Sequence, residues 1–234
     1  NEKNELLEQY PQANHLIRRF IGGEELINNL DRWCLWLLNV TPDSIKAVPE
    51  IYQRVLDVRK VRSNSTRPTT QALSATPALF GEIRQPNSNY LAIPEVSSER
   101  REYLPIAFIS ADVIASNKIY TLANATMYDF GVLASKLHMA WTRTVCGRLE
   151  SRYQYSAGIV YNNFIWAEVK DPGLLANVEK TAKAILDARA LYPDSTLANL
   201  YDPVTMPIEL VKAHEANNKA VDKAYGYTGA DDDA

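Results

Sequence analysis

The sequence predicts an α+β fold, in which a mixed domain over residues 1–168 precedes a small all-helical domain over residues 169–234. Three observations lead to this prediction. Short strand-like runs bounded by Pro, Asn and Ser occupy residues 78–123, without the regular strand–helix alternation of a parallel sheet. A long apolar run at helical spacing follows them. Beyond residue 170 the apolar residues recur only at helical spacing.

The elements of the first domain follow from local patterns. Residues 32–40 (RWCLWLLNV) form an apolar run ended by turn-prone residues, which predicts a buried strand. Residues 43–61 carry apolar side chains at helical spacing behind the helix-starting sequence Thr-Pro-Asp. The next strand-like runs are ALFGEIR, YLAIPEV, LPIAFIS and KIYTLA. Residues 128–149 then predict one long helix, whose Ala, Ser and Gly positions permit close packing.

The C-terminal part is predicted to be helical throughout. A first helix starts at Asp171-Pro172, because Pro is favoured in the first helical turn. STLANLYDP predicts a short helix or turn, and a second long helix begins near Pro207. The acidic tail over residues 226–234 (GYTGADDDA) is predicted to fray.

Composition excludes several classes of protein. A chain of 234 residues can bury a substantial core, and no stretch approaches the length of a transmembrane helix. The two cysteines, Cys34 and Cys146, lie in apolar runs and provide no disulfide framework, so we expect a cytoplasmic protein without a membrane partner. The chain starts with Asn and shows no signal peptide, which indicates that it belongs to a longer protein.

Basic residues are concentrated in one region although the net charge is −3. Residues 54–101 carry 8 Lys or Arg against 4 Asp or Glu, and the densest run is RVLDVRKVRSNSTRP. Basic side chains among hydroxyls and amides are typical of phosphate contacts, although a solvated helix face running into a loop has the same composition. We predict phosphate contacts at Arg59, Lys60, Arg62, Arg67, Arg100 and Arg101.

The sequence offers few candidates for catalysis. His15, His138 and His214 are far apart, and none forms a metal-binding pair with a cysteine or another histidine. Glu-Val-Lys at 168–170 matches half of a common nuclease site but has no Pro-Asp shortly upstream. No Pro-Pro dipeptide is present, which excludes the loop with which amino-methylating DNA enzymes hold their target base. We therefore expect this chain alone to catalyse nothing and to bind neither metal nor cofactor.

The stretch GRLESRYQYS (147–156) places three polar side chains at alternate positions. In a strand, Glu150, Arg152 and Gln154 would share one face, whereas in a helix Arg152 would lie away from the other two. A carboxylate, a guanidinium and an amide are the side chains that read base edges. They are equally common on the solvent-facing side of an edge strand, so the residues alone leave both interpretations open.

Several segments resemble one known family. They are, in order, RRFIGGEELI, RWCLWL, TPALFGEIRQP, YLAIPEVSSERREYLPIAF, VIASN, FGVLASKLHMAWTRTVCGRLESRYQYSAGIVYNNF and LYDPVTMPIELVKAH. Together they resemble the C-terminal portion of MmeI-like enzymes, which are type IIL restriction–modification proteins and their DNA methyltransferase relatives. In that family an endonuclease, a helical connector and an adenine-N6 methyltransferase precede a target recognition domain and a helical C-terminal region. The resemblance covers only the last two parts.

The resemblance assigns roles to particular residues. It implies that Glu150 and Arg152 form a base-reading pair, that Gln154 reads another position, and that the segment with Asn117 and Lys118 joins Gln154 there. The chemistry agrees, because a carboxylate accepts from cytosine N4, a guanidinium donates to guanine O6 and N7, and an amide pairs with adenine. Lys118 is then a candidate for a guanine contact.

The resemblance also implies partners and cofactors. The partners would be double-stranded DNA and the methyltransferase domain of the same parent chain, with S-adenosylmethionine and Mg²⁺ bound by the missing part. We expect a parent that both methylates and cleaves DNA. Two alternatives remain: a methyltransferase without a nuclease, and a protein-interaction scaffold that does not contact DNA.

Overall fold

The computed structural model describes residues 2–227, which form two compact units. The first unit comprises residues 2–20, 31–85 and 112–114, and the second comprises residues 21–30, 86–111 and 115–227. No helix in the described range combines the length and the apolar character needed to cross a membrane. The part of the predicted frayed tail beyond residue 227 lies outside the described residues.

Helices and short strands are mixed along most of the chain. The α-helices between residues 2 and 227 are α1 (Glu2–Gln9), α2 (Gly23–Asn28), α3 (Pro42–Lys46), α4 (Pro49–Ser63), α5 (Pro68–Ala72), α6 (Met127–Leu133), α7 (Lys136–Val145), α8 (Pro172–Ala190), α9 (Leu197–Leu200) and α10 (Ile208–Ala224). The strands in the same range are β1 (Ile17–Ile21), β2 (Trp33–Leu35), β3 (Tyr90–Pro94), β4 (Val96–Ser97), β5 (Ala107–Ile109), β6 (Ile114–Ala115), β7 (Ile119–Ala123), β8 (Gly147–Leu149) and β9 (Arg152–Gln154). The predicted α+β fold with a C-terminal helical region is confirmed.

The first unit is built around one apolar cluster. Its buried members are Ala13, Leu16, Leu37, Ile45, Val48 and Ile51. β1 pairs antiparallel with β2, with Ile17 opposite Leu35. The strand predicted over 32–40 is reduced to the three half-buried residues of β2, and the run ALFGEIR forms no strand.

The single helix predicted over residues 43–61 is two helices, α3 and α4. Val48 between them is extended, with φ −121° and ψ 95°, and Pro49 begins α4. Proline disfavours a helical conformation in the residue before it and lacks the N–H that would continue the helix. The break therefore has a local cause, although the apolar spacing runs through it.

Two small sheets of the second unit meet where β3 leads into β4. β3 is buried along its whole length and lies between β5 and β7, with both of which it pairs antiparallel. β4 pairs with β9, which in turn pairs with β8. One residue, Glu95, separates β3 from β4 and hence joins the two sheets in the chain.

The long helix predicted over 128–149 is also interrupted. α6 ends at Leu133, and α7 begins after Ser135, whose hydroxyl accepts a hydrogen bond from the His138 N–H at 3.2 Å. The predicted close packing at its small residues is confirmed. A Cβ on Gly131 would lie 2.9 Å from Val178 and 3.0 Å from Ala182, so glycine permits the close approach of α6 to α8 at this point.

The helical C-terminal region packs into the same core as the sheets of the second unit. One cluster includes Leu91 and Ile93 of β3 together with Ala182, Ile185 and Leu210. The predicted helix starts are confirmed, since the Asp171 side chain accepts from the Gly173 N–H and Pro207 caps α10. The domain boundary between residues 168 and 169 stays a prediction.

A buried polar network fixes the C-terminal helices to their neighbours. Arg189 Nε donates to the Tyr201 hydroxyl at 2.9 Å, and that hydroxyl lies 2.8 Å from His214 Nε2. The opposite ring nitrogen, Nδ1, donates to the carbonyl of Ala134 at 3.2 Å. Arg189 also donates to the carbonyl of Ile106, which precedes β5. Each polar group of this chain of contacts has a partner, as buried polar groups require.

Candidate nucleic-acid interface

Residues 147–154 form a β-hairpin, so residues 147–149 are strand β8 and not the end of the predicted long helix, and residues 152–154 are strand β9. Leu149 lies opposite Arg152, so Glu150 and Ser151 form a two-residue loop. Arg152 and Gln154 share one face of β9, while Tyr153 between them is buried on the other. The alternation was therefore informative for these two residues and misleading for Glu150.

Glu150 and Arg152 are in contact despite the turn between them. Arg152 Nη2 donates to Glu150 Oε2 at 2.7 Å, and 77% of the Glu150 side chain and 46% of the Arg152 side chain are exposed. An exposed ion pair contributes little to stability. It does place a carboxylate and a guanidinium side by side at a surface, where they could accept from cytosine N4 and donate to guanine.

The backbone at Glu150 has a conformation that is energetically unfavourable for a glutamate. Its φ of 58° lies in the left-handed region, which glycine and asparagine adopt more easily. We expect Glu150→Gly to leave the chain more stable than Ser151→Gly by about 1 kcal/mol, because only the first change relieves a strained φ. Urea unfolding of the two variants would measure the difference. Equal stabilities would show that the loop carries no such strain.

Asn117 and Lys118 lie in an exposed turn between β6 and β7. The Lys118 N–H donates to Ser116 Oγ at 3.2 Å within this turn. Gly22, just before α2, packs against it: a Cβ there would lie 3.1 Å from Ser116 Oγ and 2.8 Å from Glu25 Oε2. The glycine pair at 22–23 therefore permits α2 to begin beside the turn.

Glu95 connects two of the predicted base-reading segments, although no pattern in the sequence indicates this residue. Its Oε2 lies 2.8 Å from Lys118 Nζ, and its Oε1 accepts from Gln154 Nε2 at 3.4 Å. The Glu95 side chain is only 16% exposed. The hydrogen bond to Glu95 raises the pKa of Lys118, which therefore stays an ammonium ion at neutral pH. The carboxylate thus holds a cation and an amide on its two oxygens.

An open groove of about 510 Å³ lies in the second unit beside these residues. Its lining includes Arg152, Lys118, Glu95 and Arg101. The remaining lining residues belong to α2, β4 and the loop after β4: Gly23, Glu24, Ile27, Asn28, Val96, Ser97 and Ser98. Two predicted base readers and one predicted phosphate contact therefore meet in one groove, and Glu150 joins them through its ion pair with Arg152.

Arg100 and Arg101 follow the groove-lining serines. Arg101 is half-buried, and its Nη1 donates to Ser97 Oγ over a long 3.4 Å. Burial lowers the pKa of the Arg101 guanidinium, which nevertheless carries its charge at neutral pH. Arg100 is exposed. Their contacts with phosphate stay predictions.

The basic run of the first unit divides into two kinds of residue. Arg59, Lys60 and Arg67 are exposed, the first two on α4 and the third at the start of α5. Arg62 instead donates to three backbone carbonyls between residues 73 and 79, at distances of 2.8–3.0 Å. Its guanidinium therefore anchors the segment after α5. The phosphate contacts of all four residues stay predictions. Arg62 is the least available for such a contact, because its guanidinium already binds the three carbonyls.

The buried histidines and Cys34 occupy structural positions. His138 and His214 are fully buried, and His138 Nε2 lies 3.1 Å from the Tyr155 hydroxyl. Burial raises the pKa of the Cys34 thiol to about 11, which makes it a poor nucleophile. Within the described residues, no three side chains of His, Cys, Asp or Glu are arranged to hold a metal ion.

Comparison with known proteins identifies the family. Residues 1–168 match the MmeI target recognition domain, and residues 171–234 match the MmeI C-terminal domain. DNA methyltransferase A of Bacillus subtilis (strain 168) is 38% identical over 224 residues, which cover 96% of this chain and 25% of that protein. The structure of the type IIL restriction–modification enzyme MmeI in complex with DNA is 45% identical, with a TM-score of 0.95. The match covers 99% of this chain and 31% of that one.

This chain therefore spans between a quarter and a third of the length of these two relatives. The agreement with the second relative extends over both the sheets and the C-terminal helices. The chain belongs to the MmeI family, as a target recognition domain followed by the family's C-terminal domain.

Proposed function

We propose that this chain reads the target sequence for an S-adenosylmethionine-dependent adenine-N6 DNA methyltransferase that also cleaves DNA. The observation that carries the proposal is the groove in which Arg152, Lys118 and Arg101 meet. Guanidinium and ammonium groups donate to guanine O6 and N7, and they also neutralise phosphates. The DNA in the structure of the related MmeI supports duplex DNA as the ligand.

The chemistry would belong to other parts of the same parent chain. A methyltransferase domain would bind S-adenosylmethionine and transfer the methyl group, and an endonuclease would use Mg²⁺. This chain would supply affinity and sequence preference. We expect the parent protein to act on this DNA in the cytoplasm.

A second candidate is a methyltransferase without a nuclease. The relative from Bacillus subtilis favours it, since that protein is described as a DNA methyltransferase. Sequence outside this chain would distinguish the two candidates, because a parent protein with a nuclease would contain a Pro-Asp…Glu-x-Lys site there. A protein-interaction scaffold is a third possibility, which salt-dependent binding of duplex DNA would exclude.

Affinity and sequence preference would come from different residues. Exposed cations that touch phosphates add affinity equally for all sequences, whereas base contacts discriminate among them. Arg59 and Lys60 are the best candidates for the first role, because both are exposed on α4. We expect weak binding by the isolated chain, whose net charge is −3.

The first test is the salt dependence of DNA binding by this chain. We expect Arg59→Ala with Lys60→Ala to reduce the slope of log K against log[salt] by about 1–2, as the loss of one or two phosphate contacts requires. The loss of affinity should be equal for all duplex sequences. Fluorescence anisotropy at several salt concentrations would measure both quantities.

The matched control removes two cations that already pair with carboxylates. Arg54 pairs with Glu2, and Arg84 pairs with Glu82. Arg54→Ala with Arg84→Ala changes the net charge by the same amount and should reduce the slope less. If both double variants change the slope equally, the basic run acts only through net charge. Binding by the unmodified chain that does not respond to salt would contradict the proposed function itself.

A further inference from the structure

Glu95 lies where the chain passes from one sheet of the second unit to the other. Its N–H donates to the carbonyl of Lys118 at 3.0 Å, and its own carbonyl accepts from the Tyr155 N–H at 2.7 Å. The backbone of Glu95 is therefore bonded to both predicted reading segments, the 116–118 turn and the chain that leaves β9. These two bonds do not depend on the Glu95 side chain.

The side chain repeats the same two connections. One carboxylate oxygen lies 2.8 Å from Lys118 Nζ, and the other accepts from Gln154 Nε2 at 3.4 Å. A carboxylate can only accept, so it draws the NH₂ end of the Gln154 amide toward itself. The amide oxygen then lies on the opposite side, toward Gly147, where an added Cβ would be 3.5 Å away. The carboxylate thus determines which end of the amide faces which way.

The charge of Glu95 is unfavourable for DNA binding as such. A carboxylate in a groove that receives DNA repels phosphates, and it also occupies Lys118, whose side chain is 62% exposed. A lysine that served only to attract phosphates would be more effective without this partner. The paired arrangement is understandable if a fixed direction of the ammonium group matters more than its free charge.

We infer that Glu95 is a positioning residue for base recognition, which orients Lys118 and Gln154 together for the bases that they read. This inference depends on the proposed function and extends it. Glu95 contacts no base; it acts through the two side chains on its carboxylate oxygens. Among the described residues, Glu150 and Arg152 pair with each other and form no hydrogen bond or ion pair with Glu95, so recognition by that pair should not depend on it.

The test is Glu95→Gln in a full-length enzyme that carries this chain, with base preferences determined by selection from randomised duplexes. Glutamine has nearly the same shape and keeps the backbone bonds, but it leaves Lys118 without its anionic partner. Its amide has one accepting oxygen where the carboxylate has two, so it cannot accept from Lys118 and Gln154 together. We expect discrimination to fall at least about fivefold at the positions read by Lys118 and Gln154, the lower range for a lost bidentate contact. Preference at the Glu150–Arg152 position should be retained, with an unchanged unfolding temperature.

Glu99→Gln is the matched control, because Glu99 is an exposed carboxylate of the same unit. It removes the same charge and should leave every base preference as it was. The inference is overturned if Glu95→Gln leaves the preferences intact, if it weakens all positions equally, or if Glu99→Gln has the same effect. If the unmodified enzyme selects no sequence at all, the proposed function fails, and the inference fails with it.

Discussion

Exchanging the charges of Glu150 and Arg152 is expected to invert the base pair preferred at one position of the recognised site. If the two side chains read a single C·G pair, Glu150→Lys with Arg152→Asp puts a donor in place of an acceptor and an acceptor in place of a donor. The altered pair should then prefer G·C. A good bidentate contact is worth about 1–3 kcal/mol of discrimination, which is large enough to change a profile of modified sites.

The geometry of the hairpin makes the exchange feasible. The two side chains are in contact at 2.7 Å, so the exchange again places opposite charges on neighbouring positions of the hairpin. Lysine at position 150 would have to adopt the same left-handed φ as glutamate, at a similar cost. Other positions of the site should be unaffected, because phosphate contacts fix the register of the protein on DNA separately.

The single changes should behave differently from the double change. Either one leaves a base edge facing a group of the wrong kind and a charge without its partner, so activity should fall without a new preference. An exchange of the exposed pair Lys183 and Asp187 on α8 is the control, and the recognised sequence should survive it. A double variant that keeps its original sequence, or that loses all positions together, would show that Glu150 and Arg152 are structural.

Patterns among neighbouring residues predict those helices and strands whose position is set by neighbouring residues. Pro172 and Pro207 stand at or beside the starts of long helices, and both helices are present where predicted. The apolar runs around β3, β5 and β7 became strands because their alternate residues pack into one core. The breaks at Pro49 and Ser135 were missed, because apolar spacing continues across both and outweighed the capping signals.

The hairpin at 147–154 was missed for a different reason. A two-residue β-turn is usually recognised by glycine or asparagine, and here the loop is Glu150-Ser151. A hairpin and a continuous strand would both bury Tyr153, so this tyrosine does not distinguish the two structures. An acidic side chain at a left-handed position is a signal only when φ is known, and it then points to a role for that side chain.

The candidate interface was predictable in part. The resemblance indicates Arg152, Gln154 and Lys118, whereas Glu95 is 59 residues from Gln154 in sequence and is brought within hydrogen-bond reach of it by the pairing of β4 with β9. No spacing rule relates residues at such a distance. The groove formed with α2 likewise depends on close approach at Gly22, which no local pattern in the sequence indicates.

Lowering the pH from 7 to 5 is expected to destabilise the fold through two buried histidines. Burial lowers the pKa of His138 to about 3, and burial together with the charge of Arg189 lowers the pKa of His214 well below its usual value. In the unfolded chain both titrate near 6.5. Below that pH the unfolded state binds two protons that the folded state does not, so the free energy of unfolding falls as pH falls.

The expected loss is about 1.4 kcal/mol per histidine for each pH unit below 6.5, or roughly 3–4 kcal/mol in total at pH 5. Urea unfolding at several pH values would measure it. His138→Gln cannot titrate but retains a polar group toward the Tyr155 hydroxyl, which lies 3.1 Å from the His138 ring. Its free energy of unfolding should be lower at pH 7 and should depend about half as steeply on pH. A slope unchanged by this substitution would mean that His138 is protonated in the folded chain, which its complete burial makes unfavourable.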